Sequence, residues 1–352
     1  MKTVRSRSFA RAGFLGNPSD GYFGKTISFA FTRFCVDLKL TESPRLRFVP
    51  GEVDDATFES PATLVRDLRL YGYYGGIRML KAVSKKFFEY CEDHALPYPA
   101  VNFTAEYRIN IPRLVGLSGS SAICSAMLKA LMDFYGVEIP AEDAPTLCHE
   151  AERDELGIAC GLQDRVVQMY NGLVYMDFDR SLVESTGHGR YERMDPALLG
   201  NVYIAYDPNR AEESGKAHKK VKKLFQSQDR DVMSAMCEFA DIARRGREAL
   251  LSGDRRTLAE LVNANFDLRD RIFNVSEENR RMVMTARSAG ASAKFAGSGG
   301  AIVGTYEDEG QFEALSAALS AIGCKTLKPT IAAKGDETSE AAVEAEASWR
   351  NS

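Results

Sequence analysis

A glycine- and serine-rich turn between an extended segment and a helical segment constrains this fold more than any other feature. Residues 100–112 have the pattern of a strand, and from Ile123 apolar residues recur at helical spacing until Gly136. Between the two lies Gly-Leu-Ser-Gly-Ser-Ser, residues 116–121. Such a turn exposes backbone N–H groups at the positive end of the helix dipole. It is therefore either a tight helix cap or a cradle for phosphate.

The bulk composition excludes several classes of partner. Of the 352 residues, 45% are apolar and 27% are charged, which is typical of a globular protein. The net charge of −4 gives no electrostatic reason to expect a nucleic acid partner. No apolar run approaches the ~18 residues of a membrane helix, and the N-terminal residues lack the apolar core of a signal peptide. We therefore expect a cytoplasmic monomer or homodimer with no membrane partner.

The cysteines and histidines do not form a recognisable site. The seven cysteines are dispersed, odd in number and without a Cys-x-x-Cys pair, so we expect free thiols. The four histidines show no metal-binding spacing. We expect neither a zinc site nor a Ser-His-Asp hydrolase.

The pattern of elements changes along the chain and predicts an α+β protein with two lobes. Strands and helices alternate in residues 1–190, whereas long helices dominate residues 191–330, which also contain a glycine turn between short strands. Residues 331–352 are polar, acidic and low in complexity, and we expect them to be disordered. The boundary between the lobes is predicted near residue 190.

Two common phosphate-binding motifs do not fit. The sequence GYFGKT at residues 21–26 ends like a Walker A loop, but Ser19 stands where that loop requires a glycine. The sequence GSGG at residues 297–300 does not follow the first strand of a dinucleotide-binding unit. The chain is therefore neither a P-loop NTPase nor an evident dinucleotide enzyme.

Two carboxylates are candidates for chemistry. Glu152 lies in a predicted helix, and Asp164 follows twelve residues later, where a new helix should begin. A helix N-terminus keeps an aspartate ionised, and phosphoryl transfer requires such a group near the acceptor hydroxyl, together with a cation. The alternatives are a solvated helix face for Glu152 and a helix cap for Asp164.

Three motifs, taken in order, resemble those of the GHMP kinase superfamily. The stretch from Pro112 to Ala122 resembles its ATP-binding motif. Residues 11–24, RAGFLGNPSDGYFG, resemble its first motif, and residues 294–303, KFAGSGGAIV, resemble its third. Glu152 and the sequence CGLQD match the glutamate and catalytic aspartate of its sugar kinases at the same interval. The resemblance implies a ribosomal S5 domain 2-like N-terminal lobe, an α/β C-terminal lobe and ATP between them.

Within that superfamily the motifs are most similar to those of the glucuronokinases. This resemblance implies an ATP- and Mg²⁺-dependent sugar-1-kinase that converts D-glucuronate to D-glucuronate 1-phosphate and ADP. Two alternatives remain open. One is a kinase for another small alcohol, such as galactose, a heptose phosphate or mevalonate, and the other is a non-catalytic sugar sensor on the same fold.

The resemblance also implies a set of site residues. Asp164 would act as the base, or orient the acceptor hydroxyl, and Arg11 would be the cation beside it. The residues expected to bind ATP are Pro112, Gly116, Leu117, Ser118, Gly119, Ser120, Ser121, Gly297, Ser298 and Gly299. The residues expected to bind the sugar are Asp20, Gly21 and Tyr22.

Metal and carboxylate ligands are less well defined by the sequence. The resemblance implies that Mg²⁺ is held by Glu152 and by one serine, either Ser120 or Ser121. Both serines remain candidates because the serine turn is one residue longer than the usual motif. Charge and placement alone make Lys25 and Arg165 candidates for the carboxylate of an acidic sugar. The alternative for both is an ordinary surface charge.

Overall fold

The computed structural model describes residues 1–51, 54, 75–209 and 215–336, including side chains except those of residues 215–219. The first lobe contains a six-stranded sheet and the helices that pack on it. Its strands are β1 Thr3–Leu15, β2 Lys25–Ser43, β3 Arg47–Phe48, β4 Asn102–Ile109, β5 Leu173–Asp177 and β6 Arg190–Met194. Its helices are α1 Gly76–Asp93, α2 Gly119–Tyr135, α3 Ala144–Glu150, α4 Gln163–Tyr170 and α5 Arg180–Thr186, with a π-helical turn at Ala151–Glu155.

Strand β2 organises this first sheet. It pairs antiparallel with β1 along most of its length, with β4 in its second half and with β5 at its start. The register between β1 and β2 shifts between Phe9 and Ala10, and Arg11 follows this shift directly. Irregularities of this kind re-aim neighbouring side chains. Arg11 is the side chain that reaches the site described below.

Helix α2 is the buried helix of the first lobe. Most of its residues are buried, including Ile123, Met127, Leu131 and Phe134, as expected for a helix that is apolar on most sides. It packs on β1 and β2 and ends at Gly136, whose φ of 67° is left-handed. The predicted sequence of strand, turn and helix is confirmed.

The second lobe contains a four-stranded antiparallel sheet in the order β10-β7-β9-β8. Its strands are β7 Val202–Tyr206, β8 Lys294–Phe295, β9 Ala301–Thr305 and β10 Lys325–Leu327. Its helices are α6 Gly215–Gln226, α7 Arg230–Ser252, α8 Arg255–Ile272, α9 Glu277–Ser288 and α10 Glu309–Ser320. None of the described helices is long and apolar enough to cross a membrane.

The two lobes share one hydrophobic core. Leu15 and Ile27 of the first lobe belong to the same buried cluster as Phe239 and Leu261 of the second. The lobes come close together at Gly246 of α7, where an added Cβ would lie 2.2 Å from Leu15 Cδ1. A larger residue at this crossing would fit only if the buried Leu15 side chain moved.

The lobe boundary lies later than predicted. Strand β6 pairs with β5 through Met194, so the first sheet extends past the predicted boundary at residue 190. The second sheet starts at Val202. The boundary therefore falls between these two strands.

The end of the second lobe also differs from the prediction. Ile331 pairs with Phe31 of β2, and the buried Ala332 donates its backbone N–H to Ala30 O at 2.9 Å. The tail predicted to be disordered from residue 331 therefore begins with residues that pair with the backbone of β2. Residues 337–352 of that tail lie outside the described residues.

Candidate active site

The lobes meet at a cleft of about 280 Å³. Its walls come from the glycine–serine turn (residues 116–121), the second glycine turn (residues 297–300), the β1–β2 loop (residues 16–24) and the start of α4. The predicted residues that line it are Arg11, Asp20, Gly21, Tyr22, Pro112, Gly116, Leu117, Ser118, Gly119, Ser120, Asp164, Arg165, Gly297 and Ser298. The structure therefore brings most of the predicted site residues together.

The two glycine turns touch each other across the cleft. Gly116 has a left-handed φ of 74°, and a Cβ there would lie 2.7 Å from Gly299 O. A Cβ on Gly297 would lie 2.2 Å from Gly116 O. Only glycine permits this backbone approach. Helix α2 starts directly after Ser118, so its free N–H groups face the same cleft.

Asp164 is held between an arginine and a serine. Its Oδ1 accepts from Arg11 Nε at 2.6 Å, and its Oδ2 accepts from Ser118 Oγ at 2.7 Å. Arg11 Nη1 also donates to Gly116 O at 2.9 Å and to Ala296 O at 2.7 Å. Arg11 thus connects Asp164 to both glycine turns. Ser118, which is expected to bind ATP, lines the cleft and also holds Asp164 through its hydroxyl.

Asp164 is ionised in this setting. Helix α4 begins at Gln163, which confirms the predicted helix start and places Asp164 in the first turn. Burial alone would raise the pKa of this carboxyl, but the charges of Arg11 and Arg165 and the two hydrogen bonds hold the pKa below its usual value. A carboxylate of low pKa is a weak proton acceptor, so its main contributions are orientation and negative charge.

A second carboxylate, Asp20, lies in the β1–β2 loop. It accepts from Gln163 N at 3.2 Å and from Gln163 Nε2 at 3.0 Å, and Gln163 Oε1 accepts from Ser28 Oγ at 2.9 Å. Burial and the nearby charge of Asp164 raise the pKa of Asp20 to about 7. A Cβ on Gly161 would lie 1.9 Å from Asp20 Oδ2, so the glycine of the CGLQD sequence makes room for this carboxyl.

A buried ion pair supports the start of α4. Arg165 Nε donates to Glu152 Oε2 at 2.7 Å, Nη2 donates to the same oxygen, and Nη1 donates to Gly161 O at 2.7 Å. Both side chains are almost completely buried. The other oxygen of Glu152, Oε1, has no hydrogen-bond partner in the part of the chain that the structure describes.

Models of the GHMP kinases N terminal domain and the GHMP kinases C terminal domain match residues 78–172 and 247–323. The chain is 45% identical to Glucuronokinase 1 of Arabidopsis thaliana over 306 residues, 85% of this chain and 84% of that protein. It is 47% identical to Probable glucuronokinase 2 of the same plant over 84% of this chain and 82% of that protein. The chain belongs to the GHMP kinase family. It is therefore a small-molecule kinase that uses ATP.

Solved structures agree with the fold of this GHMP kinase. A Lactococcus lactis galactokinase complexed with galactose superposes with a TM-score of 0.71 at 14% identity, covering 94% of each chain. The Methanococcus jannaschii mevalonate kinase gives a TM-score of 0.68 at 16% identity, covering 94% of this chain and 99% of that one. The two-lobed GHMP kinase fold expected from the sequence is confirmed.

The two residues predicted to receive a substrate carboxylate do not suit that role. Lys25 does not line the cleft of this GHMP kinase, because its ammonium group forms an ion pair with Asp177 on the neighbouring strand β5. Arg165 does line the cleft, but all three of its nitrogens already donate to Glu152 or Gly161. Charge alone suggested both residues, and tertiary contacts assign each a different partner.

The two candidate serines are separated by the structure. Ser120 lines the cleft, whereas Ser121 is buried and donates to Ser118 O at 3.2 Å within the first turn of α2. Like Ser121, Glu152 and Gly299 do not form part of the cleft wall. The described residues contain no cluster of three or more acidic, histidine or cysteine side chains suited to a metal. A serine hydroxyl in the cleft and the unpartnered Glu152 Oε1 are nevertheless oxygen ligands of the kind that Mg²⁺ prefers.

Several residues that line the site were not predicted from the sequence, and three of them carry polar or charged side chains used below. Gln163 lies inside the CGLQD sequence and had been treated only as the neighbour of Asp164. Arg269 and Lys222 of the second lobe also line the cleft. Lys222 belongs to a run of basic residues in α6, which by itself indicates only a solvated helix face.

Proposed function

We propose that this GHMP kinase transfers the γ-phosphoryl group of ATP to the anomeric hydroxyl of D-glucuronate, giving D-glucuronate 1-phosphate and ADP. The observation that carries the substrate is the 45–47% identity to proteins named glucuronokinase over more than four fifths of each chain. The observation that supports the chemistry is an ionised Asp164 held in the cleft by Arg11 and Ser118.

The acceptor hydroxyl suits a carboxylate of low basicity. An anomeric hydroxyl is more acidic than other sugar hydroxyls, so Asp164 needs to provide only orientation and a hydrogen bond as the proton leaves. Most of the rate then comes from alignment of the reacting atoms and neutralisation of charge. Arg11 supplies positive charge beside the reacting groups. Asp20, Gly21 and Tyr22 of the β1–β2 loop line the acceptor side of the cleft.

The donor site follows from the glycine–serine turn. We place the phosphates of ATP over residues 116–120, where the N–H groups and dipole of α2 favour negative charge. Pro112 and Ser298 border the same part of the cleft from the two lobes. Gly116 and Gly297 let the two glycine turns approach each other, so the second turn lies beside the phosphate site that we propose.

We propose that Mg²⁺ is held by Ser120 and Glu152. Ser120 faces the cleft, and a buried carboxylate oxygen without a partner, such as Glu152 Oε1, points to an ion as its missing neighbour. When bound, the ion would neutralise phosphate charge. We prefer Ser120 to Ser121 for this role because Ser121 is buried in the first turn of α2 and does not line the cleft.

Substitution of Glu152 tests the metal assignment. We expect Glu152→Gln to require a higher Mg²⁺ concentration for half-maximal activity, because an amide is a poor ligand for a hard cation. Thermal melting without Mg²⁺ provides the control, since it measures damage to the ion pair with Arg165 alone. If the variant and the wild type gave the same Mg²⁺ titration curve, Glu152 would serve only as the ion-pair partner of Arg165 and not as a metal ligand.

An ADP-release assay tests the substrate. Glucuronate, galacturonate, glucose, galactose and mevalonate are compared at equal concentration, and the product is examined by NMR for phosphate on the anomeric oxygen. We expect glucuronate to be turned over fastest. Faster turnover of galactose or mevalonate would favour a different GHMP kinase activity, and absence of turnover with every acceptor would favour a sugar sensor.

A further inference from the structure

A uronic acid brings a carboxylate that must lose water when it binds. This loss is unfavourable unless a cation or several N–H donors replace the water. Five cationic side chains line the cleft, and the sequence did not indicate which of them meets the substrate. They are Arg11, Arg113, Arg165, Lys222 and Arg269.

Three of the four arginines are already engaged by the protein. Arg11 is bonded to Asp164 and to two backbone carbonyls, and Arg165 is buried in its pair with Glu152. Arg269 lies over the rings of Phe273 and Phe295 and donates to Ser298 O at 3.3 Å in the second glycine turn. The fourth, Arg113, follows Pro112 on the side of the cleft that we assign to ATP.

Lys222 is placed differently. It belongs to α6 in the second lobe, and no hydrogen bond or ion pair joins it to another residue in the described part of the chain. Phe225, one helical turn later, packs edge-on against Tyr22 of the β1–β2 loop with ring centroids 4.8 Å apart. Residues three apart share a helix face, so the face that carries Lys222 is the face turned toward the acceptor side of the cleft.

We propose that Lys222 receives the carboxylate of the acceptor sugar and thereby selects an acidic sugar over a neutral one. This assignment rests on the proposed function. The ammonium group is exposed and its flexible stem can follow the substrate, so the pairing replaces lost hydration without breaking an existing ion pair. The acidic group is thus recognised by the second lobe, whereas the reacting hydroxyl is oriented by the first.

The test compares Lys222→Gln with Lys223→Gln. Both changes remove one positive charge from the same exposed helix, but Lys223 does not line the cleft. Loss of a charge-assisted hydrogen bond should raise the KM for glucuronate roughly 10- to 100-fold in Lys222→Gln. We expect kcat to change by less than about threefold, because the lost interaction is made equally in the ground state and the transition state. The KM for ATP and both constants of Lys223→Gln should stay near wild type.

A neutral analogue completes the experiment. Glucuronamide keeps the shape of the substrate without its charge, so wild type and Lys222→Gln should process it equally, and the preference for glucuronate should disappear in the variant. The assignment of Lys222 would be overturned if the two lysine variants had equal effects, or if the KM for ATP rose instead of the KM for glucuronate. In either case, turnover of glucuronate by the wild type would still support the proposed function. If the wild type does not phosphorylate glucuronate, both proposals are wrong.

Discussion

Asp164 and Asp20 line the same cleft, but their surroundings shift their pKa values in opposite directions. Two arginines and two hydrogen bonds keep Asp164 ionised. Among the described residues, only the amide groups of Gln163 donate hydrogen bonds to Asp20. Its burial and the charge of Asp164 raise the pKa of Asp20 to about 7. Pairs of carboxyl groups separated in this way are typical of sites where one acts as a charge and the other binds as a neutral or shared proton donor.

Removal of the charge on Asp164 should abolish most of the activity. We expect Asp164→Asn to lower kcat about 100-fold or more, the usual effect of losing an acid–base group, while ATP still binds because the glycine–serine turn is unchanged. A nucleotide-binding titration and a melting curve on the same variant separate lost chemistry from lost folding. Turnover near that of the wild type would remove Asp164 from the mechanism.

Asp20 should make stability depend on pH. Since the folded state binds its proton more tightly than the unfolded state, where the pKa is near 3.8, this group makes the free energy of unfolding fall as pH rises from about 4 to about 7. In the Asp20→Asn variant this side chain cannot ionise, so its free energy of unfolding does not fall for this reason as pH rises. The melting temperature of the variant relative to wild type should therefore increase between about pH 4.5 and about pH 8. A difference that does not vary with pH would contradict the raised pKa.

Two elements of the second lobe hold the β1–β2 loop of the first. Asn265 of α8 accepts from Gly16 N at 2.7 Å and donates to Asn17 O at 3.2 Å. Lys294 of β8 donates to Gly13 O at 2.6 Å and to Asn17 Oδ1. All of these side chains are buried. The β1–β2 loop is therefore positioned by residues that lie about 250 or more positions away in the sequence.

Loss of the Asn265 side chain should loosen this loop. Asn265→Ala leaves a buried N–H and a buried C=O without partners, which costs about 2 kcal/mol or more of unfolding free energy. We also expect the KM for the sugar to rise more than the KM for ATP, because Asn265 holds the β1–β2 loop, which we assign to the sugar. Urea unfolding and both KM values provide the measurement, and Glu260→Ala on the exposed face of α8 is the matched control. Equal changes in the two KM values would argue for a general loss of packing.

The lobes share a core and the chain returns to the first sheet, so we expect the whole molecule to unfold as one cooperative unit. After β10, Thr32 N donates to Thr330 O at 2.9 Å, and Ala332 is completely buried beside β2. The final described segment thus ties the second lobe back to the longest strand of the first. Truncation of the chain before this contact and truncation after it should therefore affect stability differently.

Truncation after Asp336 and truncation after Thr330 should therefore differ. We expect the first to leave the melting temperature unchanged, because residues 337–352 have a composition that cannot support a core. The second removes Ile331 and Ala332 with their backbone hydrogen bonds, and should lower the unfolding free energy by about 1–2 kcal/mol. Identical melting temperatures for the two shortened chains would show that the contact with β2 contributes nothing.

The sequence by itself determined the features that depend on neighbouring residues. Hydrophobic periodicity predicted the turn at residues 116–121 followed by α2, and Gly136 marked the end of that helix. The same local reasoning placed Asp164 at the start of α4. The ordered motifs predicted the family and the partners Arg11 and Asp164, because short patterns of residue type carry this information without knowledge of the fold.

Only the tertiary structure decided which charges meet. Lys25 pairs with Asp177 and Arg165 pairs with Glu152, so neither is available in the way that its charge had suggested. Lys222 was an unremarkable member of a basic helix until the fold turned it toward the cleft. The partner of a long side chain depends on which distant segments pack beside it and on how much water remains, and neither quantity is contained in the local pattern of residues.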